Sequence, residues 1–374
     1  MSTPTPGRAT ASRSTAEPAV VPPADAVIGF VEPDLPRPSG GSTYNAHVIE
    51  SWPTGAPSLQ RHRLPWPCAD EVVQGILTRQ RVTIVDGLIG SERPGAIEAA
   101  RAAGHEVVLL VHMPRPADTG LDDAERTRLA ALEARAVRAA SAVVVPSEWA
   151  ARDLERRYGR TDLIVALPGI EPAPVAEPHD PPVLLQLGAI SPLKNQLLTV
   201  RAAVACRDLA FRLRLVGPVL DEAYAERVAD ALAPLYDRVT LEPPVSGESR
   251  EAVLAGADLM LSVAVRETYG LTVTEGLARG IPAVVGRGTG AEEALGAGGE
   301  PAGTAADTGD PAELADVLRT FLKSDDLRHR WRATALASRE RLPTWQSTAQ
   351  TLAETCASAQ GVVGQDVVAE HEAP

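Results

Sequence analysis

The chain has 374 residues, 44% hydrophobic, 23% charged and only 3% aromatic, with a formal net charge of -13. That length exceeds what one hydrophobic core usually organises, so it predicts two domains of roughly 150 residues each, with a cleft between them. The acidic balance and the scarcity of aromatic rings exclude a nucleic-acid binder that works through a basic stripe or base stacking.

Residues 1–25 are rich in Pro, Ser, Thr and Ala and lack the apolar core of a secretory signal, which predicts a disordered leader. From Val27 short aliphatic runs alternate with helix-like stretches: VIGFV, RVTIVDG, HEVVLLVHM, SAVVVPS and DLIVALPG. Runs of four to eight β-branched residues bounded by turn residues read as buried strands of a parallel sheet. The intervening DDAERTRLAALEARAVRAA has the Ala and Leu spacing of an amphipathic helix. Prolines and charges then replace the periodic pattern from Pro168 to Pro182, predicting a hinge. The alternation restarts with PVLLQLGAI and continues through FRLRLVG, VTLEPP and DLMLSVA. Sustained strand-helix alternation predicts two doubly wound α/β domains, because parallel strands reconnect only through crossovers. They occupy residues 26–170 and 171–343, followed by a helix over 344–360 and a frayed tail over 361–374. The cysteines Cys68, Cys206 and Cys356 are odd in number and far apart, which suits a reducing cytoplasm and neither a disulfide framework nor a zinc site. No apolar run has the length of a membrane span.

Four segments carry candidate chemistry. RETYGLTVTEGLARGIPAVV (Arg266 to Val285) places Gly270 in a turn that opens a helix, with Glu267 before it and Glu275 within it, and Gly280 as the predicted stop. Free N–H groups and the positive end of the helix dipole suit a diphosphate there, and Glu275 could accept ribose hydroxyls. LQLGAISPLKNQLLTV carries Lys194 and Asn195 from a strand end into a helix. Lys194 is one of only two lysines, with Lys323, in a chain otherwise supplied with arginine, and a compact ammonium meets phosphate as a point charge. In PDLPRPSGGSTYNAHVI, Gly40 and Gly41 let the backbone approach a ligand, with Ser39, Ser42 and Thr43 adding hydroxyls at a helix start. His112 ends the strand HEVVLLVHM, where ligands meet open α/β sheets, and could orient an acceptor hydroxyl or a donor sugar. Ser147 is expected to cap the helix that follows it.

Glu267-x7-Glu275, followed by Leu277-Ala278-Arg279-Gly280-Ile281-Pro282 and Gly290-x-x-Glu293, resembles the retaining glycosyltransferases of family 4 (group 1). The resemblance extends from about Val27 to Ala359 and implies the GT-B architecture, two Rossmann-like halves facing each other across a cleft. It implies that Glu267 lies beside the donor sugar, the backbone of Gly270 and Leu271 beside the diphosphate, and Glu275 beside the ribose. Gly40, Gly41, Lys194 and Asn195 would complete the donor site, with His112, Lys194 and Glu267 as the catalytic group. The family's loop before the lysine usually carries an arginine where this chain has Ala189, a departure that Arg266 or Arg37 could offset.

The resemblance implies transfer of a hexosyl group from a UDP- or GDP-sugar to a small acceptor, with retention of configuration and no protein nucleophile. No cofactor is expected, and no metal, since the chain has no Asp-x-Asp pair. Arginines nearly balance acids over the first 170 residues, which favours a soluble acceptor over a lipid. Two alternatives stand beside this reading. One is an epimerase or phosphorylase of the same architecture. The other is a degenerate member, suggested by Ala189, that binds a nucleotide or a partner without catalysis.

Overall fold

The strands β1 (Val27–Asp34), β2 (Ser58–Pro65), β3 (Val82–Asp86), β4 (Glu106–Leu110), β5 (Ala142–Val145) and β6 (Leu163–Val165) form one sheet. Its order is β2-β1-β3-β4-β5-β6, and every neighbouring pair is parallel. A second parallel sheet holds β7 (Val183–Leu187), β8 (Arg212–Val216), β9 (Val239–Glu242), β10 (Leu259–Ser262), β11 (Ala283–Gly286) and β12 (Gly303–Ala306), ordered β12-β11-β10-β7-β8-β9. The structure, a computed structural model, describes residues 27–369, so the leader expected over 1–25 and the end of the expected tail lie outside the described residues.

The aliphatic runs become inner strands because both faces of a parallel sheet are covered by helices. VTIVD and EVVLL are buried at every position. Three strands fall outside the expected set, β2, β11 and β12, and of these β2 and β12 lack an aliphatic run. The edge strand β2 reads SLQRHRLP and is largely exposed, while β12 is GTAA, small residues at the opposite edge of the other sheet.

Both sheets reverse their winding direction beside their first strand, between β1 and β3 and between β7 and β10. At such a reversal the loops leaving the two strands diverge to opposite faces and leave a crevice beyond the strands' carboxyl ends. The loops that follow β1, β7 and β10 are the ones that carry Gly40 and Gly41, Lys194 and Asn195, and Glu267 and Gly270.

The chain crosses between the halves twice, and the two crossings touch. Ile170 N–H donates to the carbonyl of Pro343 at 2.9 Å. A Cβ on Gly169 would lie 2.0 Å from the Trp345 nitrogen, so the close approach itself requires glycine. The proline-rich stretch predicted as a hinge is for the most part bound to the second half. Ala176 N–H donates to Arg279 O at 2.9 Å, and Arg339 Nη2 reaches Ala173 O at 2.6 Å. Prolines hold that backbone extended and leave its carbonyls free to accept from arginines.

After the second crossing the helix Trp345–Ala369 returns to the first half and runs past residue 360, where its end was expected. Trp345, Ala349, Leu352 and Cys356 enter the core built by Ile28, Phe30, Tyr44 and Ile84. Burial pushes the Cys356 thiol up to about 12 and makes it a small hydrophobe. Trp345 stacks on His47, with ring centroids 4.6 Å apart, and meets Tyr44 edge-on at 5.6 Å. Trp345→Ala is expected to lower the stability of the N-terminal half by about 3–5 kcal/mol, read from urea denaturation; an unchanged midpoint would show that the returning helix does not hold that half.

Candidate functional site

The loop after β10 is the centre of the site. Gly270 has φ 101°, a left-handed conformation open to glycine, and caps the short helix Leu271–Leu277. That helix stops before the expected terminus at Gly280, which itself has φ 73°. Glu267 projects toward the loop after β7, where its Oε2 lies 2.6 Å from Lys194 Nζ. The pair is part-buried, with Lys194 33% and Glu267 16% exposed. Glu275, one turn into the helix, accepts from Arg250 Nη2 at 2.7 Å.

Lys194 stands where it does because of Asn195. Asn195 is the one non-glycine residue with positive φ among the described residues, at 61°. Its side-chain amide donates to Thr308 O at 2.8 Å and Val263 O at 3.3 Å, tying the β7 loop to the ends of β10 and β12. The amide is thus committed to the frame, and what Asn195 offers the site is backbone position. Ala189 lies at the start of the same loop and accepts from Gln196 Nε2 at 2.8 Å through its carbonyl.

The first half contributes Gly40 and Gly41, which begin the helix Gly40–Glu50 behind a capping box of Ser39 and Ser42. A Cβ on Gly41 would sit 2.7 Å from the His112 ring, so that glycine is where the helix and the histidine press together. An ideal Cβ on Gly40 would lie 3.9 Å from Leu271, which faces it across the cleft. The Gly-Gly helix start, His112 and the Gly270-Leu271 turn are thereby brought to one place.

His112 is fixed by two residues that the sequence reading left out. Its Nε2 lies 2.9 Å from Asn45 Oδ1 and 3.4 Å from Asp86 Oδ2, and Asn45 Nδ2 donates to the same Asp86 oxygen at 2.7 Å. Tyr44 closes the ring's flank edge-on at 5.0 Å. Burial works to raise the Asp86 pKa, but the His112 hydrogen bond and charge, the Asn45 amide and the Leu88 N–H outweigh it and hold the carboxyl below its ordinary range. The signal for Asp86 was available, since it ends a strand beside the switch point; that for Asn45 was not, because nothing in STYNAHVI marks it.

Ser147 caps its helix as expected, accepting from Ala150 N–H at 2.9 Å. Its hydroxyl also donates across the cleft to Thr268 O at 2.5 Å. Of the two arginines considered as replacements at Ala189, Arg266 is engaged with Asp153 at 2.8 Å and lies over the Trp149 ring. Arg37 lines a cavity of about 320 Å³ with Ser42, His47, Arg61 and Arg63, between the Gly40–Glu50 helix and the outer strands.

Residues 170–337 match the family model described as glycosyl transferases group 1. A D-inositol 3-phosphate glycosyltransferase of Nocardioides sp. is 32% identical over 189 residues, 46% of this chain and 41% of that protein. A GDP-mannose-dependent alpha-(1-6)-phosphatidylinositol dimannoside mannosyltransferase of Mycobacterium tuberculosis is 33% identical over 166 residues, 37% of this chain and 42% of that protein. The chain thus spans less than half the length of either relative. The crystal structure of Anabaena HepE in complex with UDP and glucose superposes with a TM-score of 0.71 at 17% identity, covering 89% of this chain and all of that one. A glycosyltransferase structure from Rickettsia africae gives 0.69 at 14% identity, covering 90% of this chain and 99% of that one. At those identities the two structures show the fold alone, the two-domain GT-B frame, and the similarity to group 1 glycosyl transferases lies in residues 170–337.

Proposed function

We propose that the protein transfers a hexosyl group from a UDP- or GDP-sugar to a small acceptor, with retention of anomeric configuration and without a metal ion. The observation that carries this reading is the Lys194–Glu267 pair, 2.6 Å apart at the second sheet's switch point beside the Gly270-Leu271 helix start. A cation and free amides in one crevice suit a diphosphate, and the neighbouring carboxylate suits sugar hydroxyls. The relative that uses GDP-mannose and the structural neighbour holding UDP are consistent with either base.

In this reading the bond from the anomeric carbon to the diphosphate breaks, the acceptor oxygen bonds that carbon from the same face, and the acceptor proton passes to the departing phosphate. Charge that develops on the diphosphate is met by Lys194 and by the amides of Gly270, Leu271, Gly40 and Gly41, already oriented before reaction. Lys194 relinquishes Glu267 to the phosphate, which leaves the carboxylate to accept from the sugar. Glu275, held by Arg250, accepts from the ribose. His112, locked by Asn45 and Asp86, presents its other ring nitrogen to the sugar or the acceptor. The cavity bearing Arg37, Arg61 and Arg63 offers the acceptor side a polar space next to the Gly40–Glu50 helix.

Calorimetric titration with UDP and GDP tests the donor site. One nucleotide is expected to bind with a Kd in the range of about 1–100 μM, equally with and without magnesium. Lys194→Ala and Glu275→Ala should each weaken binding by about tenfold or more. Binding of neither nucleotide by the wild type, or unchanged affinity in both variants, would overturn the assignment.

Asp86 gives a pH signature. Its native pKa lies below the unfolded value, so its stabilisation is present above about pH 4 and is lost as pH falls through the native value. The stability gap between wild type and Asp86→Asn, followed by urea denaturation, is expected to close below about pH 4. A gap that stays constant from about pH 7 to about pH 3 would show that Asp86 is not held as a carboxylate.

A further inference from the structure

The helix Glu148–Tyr158 of the first half begins with an N-terminus whose amides are satisfied from both sides of the cleft. A helix start leaves its first N–H groups without partners inside the helix. Ser147 Oγ takes the Ala150 N–H at 2.9 Å, and Ala151 N–H returns to Ser147 O at 3.0 Å. The remaining two, Glu148 N–H and Trp149 N–H, donate to the two carboxylate oxygens of Glu293, each at 3.0 Å. Glu293 belongs to the other half, on the short helix Ala291–Leu295. An anion from one domain thus sits at the positive end of a helix of the other.

Three further ties converge on the same helix. Trp149 Nε1 donates to Gly288 O at 2.8 Å, Ser147 Oγ to Thr268 O at 2.5 Å, and Arg266 Nη1 to Asp153 Oδ2 at 2.8 Å. Arg266 and Thr268 flank Glu267 in the chain. The Glu293 helix is also welded to the back of that loop, because Gly290 N–H donates to Glu267 O at 2.7 Å and a Cβ on Gly290 would lie 2.1 Å from Thr268 O. The Glu267 loop and the Glu293 helix therefore move as one body.

We infer that Glu293 is a positioning residue for the transfer reaction, closing the cleft by capping the opposite domain's helix and thereby setting Glu267 against His112 and Gly41. This rests on the transferase reading of the same site. Glu293 touches neither donor nor acceptor in this scheme; it acts through the loop it carries. Closure of this kind completes a catalytic arrangement split between two domains.

The test compares wild type with Glu293→Ala and Glu293→Gln in three measurements. In small-angle scattering without substrate, Glu293→Ala should show a larger radius of gyration than wild type. In hydrogen exchange, the amides of Glu148 and Trp149 should lose protection by about tenfold or more. In steady-state transfer, kcat should fall by about tenfold while the donor KM changes by less than about threefold, with Glu293→Gln intermediate. Should Glu293→Ala fail to fold, Trp149→Phe keeps an aromatic ring there, removes the bond to Gly288 and is read in the same way. Identical scattering and exchange in wild type and variant would overturn the proposal, as would a raised KM with kcat intact. If the wild type transfers no sugar from any nucleotide-sugar, the transferase reading fails, while scattering and exchange still decide whether Glu293 closes the cleft.

Discussion

The constraint on which the rest of this structure depends is that parallel strands end on the same side of their sheet. Each strand must be followed by a crossover, so every loop at the carboxyl edge leaves toward one layer of helices or the other. Where the winding reverses, beside β1 and beside β7, no loop covers the strand ends. Lys194, Glu267 and Gly270 occupy the loops flanking one reversal, and Gly40 and Gly41 follow a strand flanking the other. The chemistry of the site follows from that geometry: two uncovered edges face each other, and short loops hold charged groups and helix starts between them.

Two sheets alone would leave the halves joined by a single strand of chain. The returning helix changes this, because Trp345, Leu352 and Cys356 are core residues of the first half although they come last in the chain. The two crossings lie side by side and meet where Gly169 packs against Trp345. At the far side of the cleft the ties are polar: a carboxylate on helix amides, an arginine on Asp153, a hydroxyl and an indole on carbonyls. Apolar packing at the hinge and hydrogen bonds at the mouth differ in reversibility. Hydrogen bonds exchange with water at small net free energy, whereas separating a packed core exposes apolar area at about 25 cal/mol per Å².

The departure at Ala189 acquires a structural setting. The carbonyl of Ala189 is held by Gln196, and the loop is braced through Asn195, so the lysine loop keeps its shape without an arginine. Arg266, the nearest candidate in sequence to replace that cation, is engaged at the domain interface instead. Lys194 with the helix-start amides therefore brings positive charge to the second sheet's crevice.

The sequence by itself determined the alternation of buried strands and helices, the two-domain division and the positions of Lys194, Glu267, Gly270 and Glu275 in loops and helix starts. Those features rest on local rules: aliphatic runs bury, glycine permits positive φ, and helix starts expose amides. It did not disclose β2 or β12, whose polar or small residues lack an aliphatic run because an edge strand is buried less than an inner one. Nor did it disclose Asn45 and Asp86 behind His112, Arg250 beside Glu275, or Glu293 on the Glu148–Tyr158 helix. Only the tertiary structure decided these, because each partner lies on a different element, 25 to 145 positions away for the hydrogen bonds from Arg250 to Glu275 and from Glu148 to Glu293. A hydrogen bond across such a span has no periodic trace in the chain; it exists once the sheets have placed both ends within about 3 Å.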